Sequence, residues 1–216
     1  MKVDVYNTTG KVVKQIEIRD DVFGVTPNEA VLHQALVRQL ANRRTGTADT
    51  KTRGDVNKSG KKLFAQKHTG RARRGSAKTP LLKGGGVVFG PHPRSYNQDM
   101  PKKMHRIALR SALSVKVADG RLKIIEGLEF NEPKTKQMLD ILIALEIGDS
   151  VIVATEGVDY NLVKSARNIP AVKTMPANLL NVADLFSHKM LLITEEAIKQ
   201  VEKLWGEQTI PEKVAE

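Results

Sequence analysis

The side chains with the most chemistry to offer are cationic and crowded into one stretch. Between Arg43 and Arg106 stand seventeen Lys and Arg residues against three acids, Asp49, Asp55 and Asp99, a local charge of +14. The whole chain of 216 residues carries +11, so everything outside that stretch sums to −3. Charge localised in this way calls for a polyanionic partner. Lys and Arg along an extended segment neutralise phosphates and release their counterions, and Arg grips a phosphate through two parallel N–H groups. The candidate phosphate-binding residues are Arg43, Arg44, Lys51, Arg53, Lys58, Lys61, Lys62, Lys67, Arg71, Arg73, Arg74, Lys78, Lys83 and Arg94. Lys102, Lys103, Arg106 and Arg110 join them at the start of a predicted helix.

Other chemistries find less support. Gly54 to Lys62 resembles a P-loop, but five residues separate its glycines where four are needed, and Lys62 stands where Ser or Thr would bind magnesium. Gly84-Gly85-Gly86 runs into β-type residues, so it cannot cradle a phosphate at a helix N-terminus and is better read as a tight bend or a close packing point. His33, His68, His92, His105 and His188 show no metal-ligand spacing, and the acid nearest His188 is Asp184, one helical turn away. With no cysteine, disulfides, thiolate metal sites and cysteine nucleophiles are all excluded, as expected in a reducing cytoplasm. No catalytic residue, metal or cofactor is expected. A membrane surface is a poor fit for the cations, because Val56 is the only large apolar residue from Arg44 to Lys62. No run approaches the ~18 to 20 apolar residues of a membrane span, and the N-terminus has no apolar signal core.

The elements that must position the cations alternate in type. Val3 and Val5, then Val12, Val13, Ile16 and Ile18, flank Thr8-Thr9-Gly10 as a hairpin. Thr26, Pro27 and Glu29 form a capping box for a helix that ends near Arg43, with Leu32, Leu36 and Leu40 on its inner face. A second helix runs from Pro101 to Val117 with Ile107, Ala108, Ala112, Leu113 and Val117 inward. Strands follow at Leu122 to Ile125, Ser150 to Thr155, Ala171 to Thr174 and Met190 to Thr194. Between them fall helices at Lys134 to Leu145, at Asp159 to Arg167 with Asp159 as its cap, and at Val182 to Phe186. Thr194 caps a last helix to Trp205, after which residues 207–216 are expected to fray. The pattern predicts an α/β fold, a single globular domain (residues 1–42 and 101–216) with a largely parallel sheet flanked by helices, plus a long basic loop over 43–100. A dinucleotide site is not implied, since no Gly-x-Gly-x-x-Gly follows a strand.

A connection of roughly sixty residues far exceeds the usual ~4 to 6, so it is either functional or a disordered linker. Three features favour function. Both ends return to one domain. The returning arm carries apolar points at Leu81-Leu82, Val87-Val88-Phe89 and Tyr96. Gly70 and Gly75 bracket Arg71, Arg73 and Arg74, where missing side chains would let another surface approach. Alone in water, such a composition should be largely mobile. Two arms of about thirty residues reach at most ~100 Å. Phe64, Phe89 and Tyr96 are too few for a base-stacking platform of the single-strand type, so contacts to backbone and shape, as in structured RNA, are expected.

The motifs Gln66-Lys67-x-Thr69-Gly70-Arg71-Ala72-Arg73, Gly84-Gly85-Gly86-Val87-Val88-Phe89-Gly90-Pro91 and Leu109-Arg110-Ser111-Ala112-Leu113 resemble the signature of the bacterial large ribosomal subunit protein four family, over essentially the whole chain. The resemblance implies a structural, non-catalytic component of the large subunit. Its globular domain would sit on the outer face and its loop would thread through large-subunit rRNA to the peptide exit tunnel, forming the constriction with a second ribosomal protein. Carried onto this chain, the tip is Gln66 to Ser76, with Gln66, Lys67, His68, Thr69, Gly70 and Arg71 beside the nascent peptide, and macrolide sensitivity would involve Lys67 and its neighbours. This chain departs from the family at His68, where Gly is frequent, and at Phe64-Ala65, where an aromatic-Arg pair often precedes the Gln. A free regulatory protein acting on mRNA through the same basic surface is the alternative.

Overall fold

The computed structural model describes residues 1–128 and 130–206. Two strands, β1 (Lys2–Tyr6) and β2 (Val12–Glu17), pair antiparallel. Their turn is held by the Asn7 Oδ1, which accepts from the amides of Thr9 at 2.9 Å and Lys11 at 3.0 Å, while Gly10 supplies a φ of +79°. The other strands, β3 (Leu122–Ile125), β4 (Val151–Thr155), β5 (Val172–Pro176) and β6 (Met190–Thr194), run parallel to β1. The order is β2-β1-β3-β6-β4-β5, a six-stranded, mostly parallel sheet. This is the expected α/β class.

Strand sequences such as VIVAT and MLLIT are apolar at nearly every position because both faces of the sheet are covered. Side chains alternate between two cores. Val5, Ile124, Ile152, Leu191 and Ile193 face one, with α1 (Asp20–Phe23), α2 (Glu29–Asn42), α3 (Lys102–Ala118), α6 (Val182–Ser187) and α7 (Glu195–Trp205). Ile125, Val151, Val153 and Leu192 face the other, beneath α4 (Thr135–Ala144) and α5 (Tyr160–Ala166). Asp159 accepts from the Asn161 amide at the start of α5, and Thr194 Oγ1 from the Ala197 amide at the start of α7, the two predicted caps.

Several local expectations are corrected. The first long helix is capped by Asn28, whose Oδ1 accepts from the Val31 amide at 3.2 Å, and not by Thr26. The Asn28 and Val25 amides donate to Ser111 and Ser114 of α3, which draws the preceding segment onto α3 and leaves the helix to begin later. Along α2 the buried pair is Leu32 and Ala35, whereas Leu40 is 51% exposed. On α3 Ala108, Ala112 and Leu113 are buried as expected, but Ile107 is exposed and Leu109 is buried beside them. The one-turn helix α1, which buries Val22 and Phe23, was not predicted, because four residues are too few to show a helical period. The expected fraying of 207–216 lies outside the described residues.

The chain divides into two compact units, residues 1–40 with 99–216, and residues 41–98. The second contains no helix of its own beyond the end of α2 and no strand, only a single antiparallel bridge between Lys62 and Ser76.

Candidate nucleic-acid interface

The unit over 41–98 is a hairpin without a ladder. Its two arms are joined by backbone and short side-chain contacts at intervals. Nearest the base, Asn42 and Gln98 exchange hydrogen bonds, the Gln98 amide donating to Asn42 Oδ1 at 2.7 Å and Asn42 Nδ2 to the Gln98 carbonyl at 3.3 Å. Further along, the Arg94 amide donates to the Gly46 carbonyl at 3.1 Å and the Val87 amide to the Lys51 carbonyl at 2.9 Å. Close to the far end, the Leu63 amide donates to the Gly75 carbonyl at 3.1 Å. All these pairs close symmetrically on Thr69 and Gly70, which are therefore the point of return. There the backbone of His68 takes φ +64° and that of Gly70 φ +62°. Left-handed backbone is natural for Gly and costs a β-carbon-bearing residue about 1 kcal/mol.

Glycines let the arms touch at Gly46, Gly86 and Gly90. A β-carbon on Gly86 would sit 2.2 Å from the Arg53 nitrogen, and one on Gly90 2.0 Å from Thr50 Oγ1. Gly46 similarly packs against the Arg94 carbonyl. Gly70 and Gly75, by contrast, have no atom within 4 Å of where a β-carbon would be. The Gly84-Gly85-Gly86 run is a bend, as predicted: the Gly85 amide donates to Leu82 at 2.8 Å and the Gly86 amide to Lys78 at 3.0 Å.

Tyr96 is clamped between two cations, with the Arg44 guanidinium carbon 3.8 Å and that of Arg94 4.5 Å from its ring centroid. The Arg94 hydrogen bond lowers the Tyr96 pKa. The acids of the hairpin are engaged locally. Asp49 pairs with His92 at 3.0 Å, and Asp55 accepts from the Thr52 hydroxyl and amide, which lowers its pKa. Lys58 Nζ donates to the Lys83 carbonyl at 3.0 Å, and Lys62 Nζ to Gln66 Oε1 at 2.7 Å and the Arg74 carbonyl at 3.2 Å. Lys51, Arg53, Lys61, Lys67, Arg71, Arg73 and Lys83 are exposed, as are His68 and Gln66; Arg74, Lys78 and Thr69 are half-buried. The hairpin thus brings the predicted cations onto two paired arms with Gln66 to Arg71 at their turn.

The remaining predicted cations lie on α3 in the other unit. Lys102, Lys103 and Arg106 are exposed in its first turns, where no acid offsets the positive end of the helix dipole. Cations there repel the dipole, an arrangement that an external anion relieves. Arg110 is half-buried and its Nε donates to the Trp205 carbonyl at 2.6 Å, so it also ties α3 to the end of α7. His105, half-buried beside them, has its pKa lowered by burial and by Arg38.

The place where parallel sheets usually hold small ligands is unsuited to phosphate. The cleft at the carboxyl ends of β3, β4 and β6, about 460 Å³, is lined by Glu126, Glu156, Glu195 and Glu196. Lys14 bridges Glu126 at 3.0 Å and Glu195 at 2.8 Å, which raises its own pKa, and Lys14 and Lys199 lower that of Glu195. Among the described residues, no three His, Asp or Glu side chains cluster closely enough for a metal ion, and no helix is long and apolar enough to cross a membrane.

Comparison with known proteins finds one family. Residues 16–204 match the model of the Ribosomal protein L4/L1 family. The chain is 53% identical over 209 residues to large ribosomal subunit protein uL4 of Dehalococcoides mccartyi, covering 97% of this chain and 100% of that protein. It is 50% identical over 200 residues to uL4 of Desulforudis audaxviator, covering 93% and 97%, and 47% identical over 204 residues to that of Pelotomaculum thermopropionicum, covering 94% and 98%.

Proposed function

The chain belongs to the ribosomal protein L4/L1 family, a non-enzymatic family of large-subunit constituents, and on that premise we propose that its hairpin binds and organises large-subunit rRNA during assembly, with the tip lining the nascent-peptide exit tunnel. The observation that carries the proposal is the geometry of residues 41–98. Two arms fold back on Thr69 and Gly70, so the hairpin has a narrow end bearing Lys67, His68 and Arg71 and flanks bearing the other cations. Backbone-to-backbone contact at Gly86 keeps the arms thin, which suits insertion among RNA helices. Phosphate contacts from the flanks fix position, and the tip, free of intramolecular acids, faces the tunnel beside a second ribosomal protein. The exposed cations of α3 offer further phosphate contacts from the globular unit.

The chain should bind in vitro transcribed large-subunit rRNA with an affinity that falls steeply as salt rises. Deletion of Lys58 to Lys83 should abolish most of that binding and weaken association with the large subunit. Affinity independent of salt, or unchanged particle association after the deletion, would refute the proposal.

A further inference from the structure

Phe89 is 97% exposed on the returning arm, beside Val88 at 57% and Val87 at 47%. A wholly solvated phenyl ring forgoes the stabilisation that burial would supply, and its backbone is not loose. Val87 is fixed by its amide N–H, which donates a hydrogen bond to the Lys51 carbonyl at 2.9 Å. On either side of Val87–Phe89, Gly86 and Gly90 press directly on the outgoing arm, against Arg53 and Thr50, and Thr50 Oγ1 donates to the Pro91 carbonyl at 3.2 Å. The ring is therefore held out on a stapled segment, an arrangement in which little conformational freedom remains to be lost when it docks. Its electrostatic setting selects the partner. Lys51, Arg53 and Lys83 on the same hairpin are exposed, while Asp49 and Asp55 are engaged with His92 and Thr52. An apolar protein surface would have to accept those cations, whereas a nucleobase presents an aromatic face beside phosphates.

From these observations we infer that Phe89 is a nucleobase-stacking anchor, which docks against an unstacked base of the large-subunit rRNA while the flanking cations hold the adjacent phosphates. This rests on the rRNA-binding reading of the hairpin. It adds to that reading a specific aromatic contact, where charge alone gives only affinity for any phosphate chain.

The test measures binding of the full chain to in vitro transcribed large-subunit rRNA across a salt series, for the wild type, Phe89→Ala, Phe89→Leu and Phe89→Trp. Stacking predicts a loss of roughly 10- to 100-fold for Phe89→Ala, a similar loss for Phe89→Leu, and retention by Phe89→Trp. The slope of log affinity against log salt should be the same in all four, because no phosphate contact is removed. Wild-type affinity in Phe89→Ala overturns the stacking inference and leaves the rRNA reading intact. Full affinity in Phe89→Leu also overturns it, since an apolar packing point needs no ring. A flattened salt slope in Phe89→Ala overturns it as well, by showing that the arm itself has collapsed. Salt-independent binding by the wild type would instead bring down the rRNA reading, and this inference with it.

Discussion

Replacing Gly86 with alanine probes whether the paired arms are a preformed device. The added methyl would lie 2.2 Å from the Arg53 nitrogen, 2.5 Å from the Thr52 carbonyl carbon and 2.6 Å from the Arg53 α-carbon. All three are backbone atoms, so no rotamer change relieves the clash, and the arms must part by roughly 1.3 Å to restore ordinary contact near ~3.5 Å. The cross-arm hydrogen bond beside the site, from the Val87 amide to the Lys51 carbonyl at 2.9 Å, would then be stretched or lost. Overpacking costs about 1–3 kcal/mol and each hydrogen bond about 0.5–1.5 kcal/mol, with the lower ends appropriate to an exposed hairpin. The sum is about 1.5–2.5 kcal/mol, which corresponds to a roughly 10- to 60-fold weaker complex if the arms must close again on RNA. Gly75→Ala is the matched control, because nothing lies within 4 Å of its β-carbon position. Hydrogen exchange at the Val87 amide and rRNA affinity are the two readouts. Protection and affinity in Gly86→Ala equal to those in Gly75→Ala would refute the idea that glycine contact holds the arms together.

Replacing Arg71, Arg73 and Arg74 together with Ala should make the salt slope of rRNA binding shallower by roughly 2 to 3 and weaken assembly into the particle, as a salt titration and a reconstitution would register. His105 should destabilise the fold in acid: its folded pKa lies below the ordinary 6.5, so the unfolded chain takes up the proton first, and stability declines as pH falls below 6.5 through the folded value. Thermal unfolding of His105→Asn against pH should lack that component. Thr194→Ala removes the side-chain acceptor at the start of α7 and should cost about 1 kcal/mol in denaturant unfolding.

How far the sequence disclosed these features depended on what each rests on. β4 and β6 were legible because a strand covered on both faces must be apolar throughout, and the caps at Asp159 and Thr194 because the capping atom belongs to the residue type itself. The cap of α2 was misplaced at Thr26, since choosing between Thr26 and Asn28 depends on serines of α3 more than eighty positions away. Leu40 and Ile107 kept the helical spacing of core residues yet are exposed, because spacing defines a face and not how far its cover extends. In the hairpin the cations were visible as charge, but the pairing of the arms was not. It runs through Gly46, Gly86 and Gly90 with no alternating side chains to announce it, and only the near-symmetry of pairs about Thr69 and Gly70 gives it away. Arg110 matched the basic pattern while also bonding the Trp205 carbonyl, a contact that charge counting cannot show.

The most direct test of the central claim is an electron-cryomicroscopy map of the large subunit containing this chain. The account predicts continuous density for residues 41–98 between rRNA helices, with Gln66 to Arg71 in the wall of the exit tunnel. A map with the hairpin lying on the solvent face of the particle, its tip away from the tunnel, would contradict it.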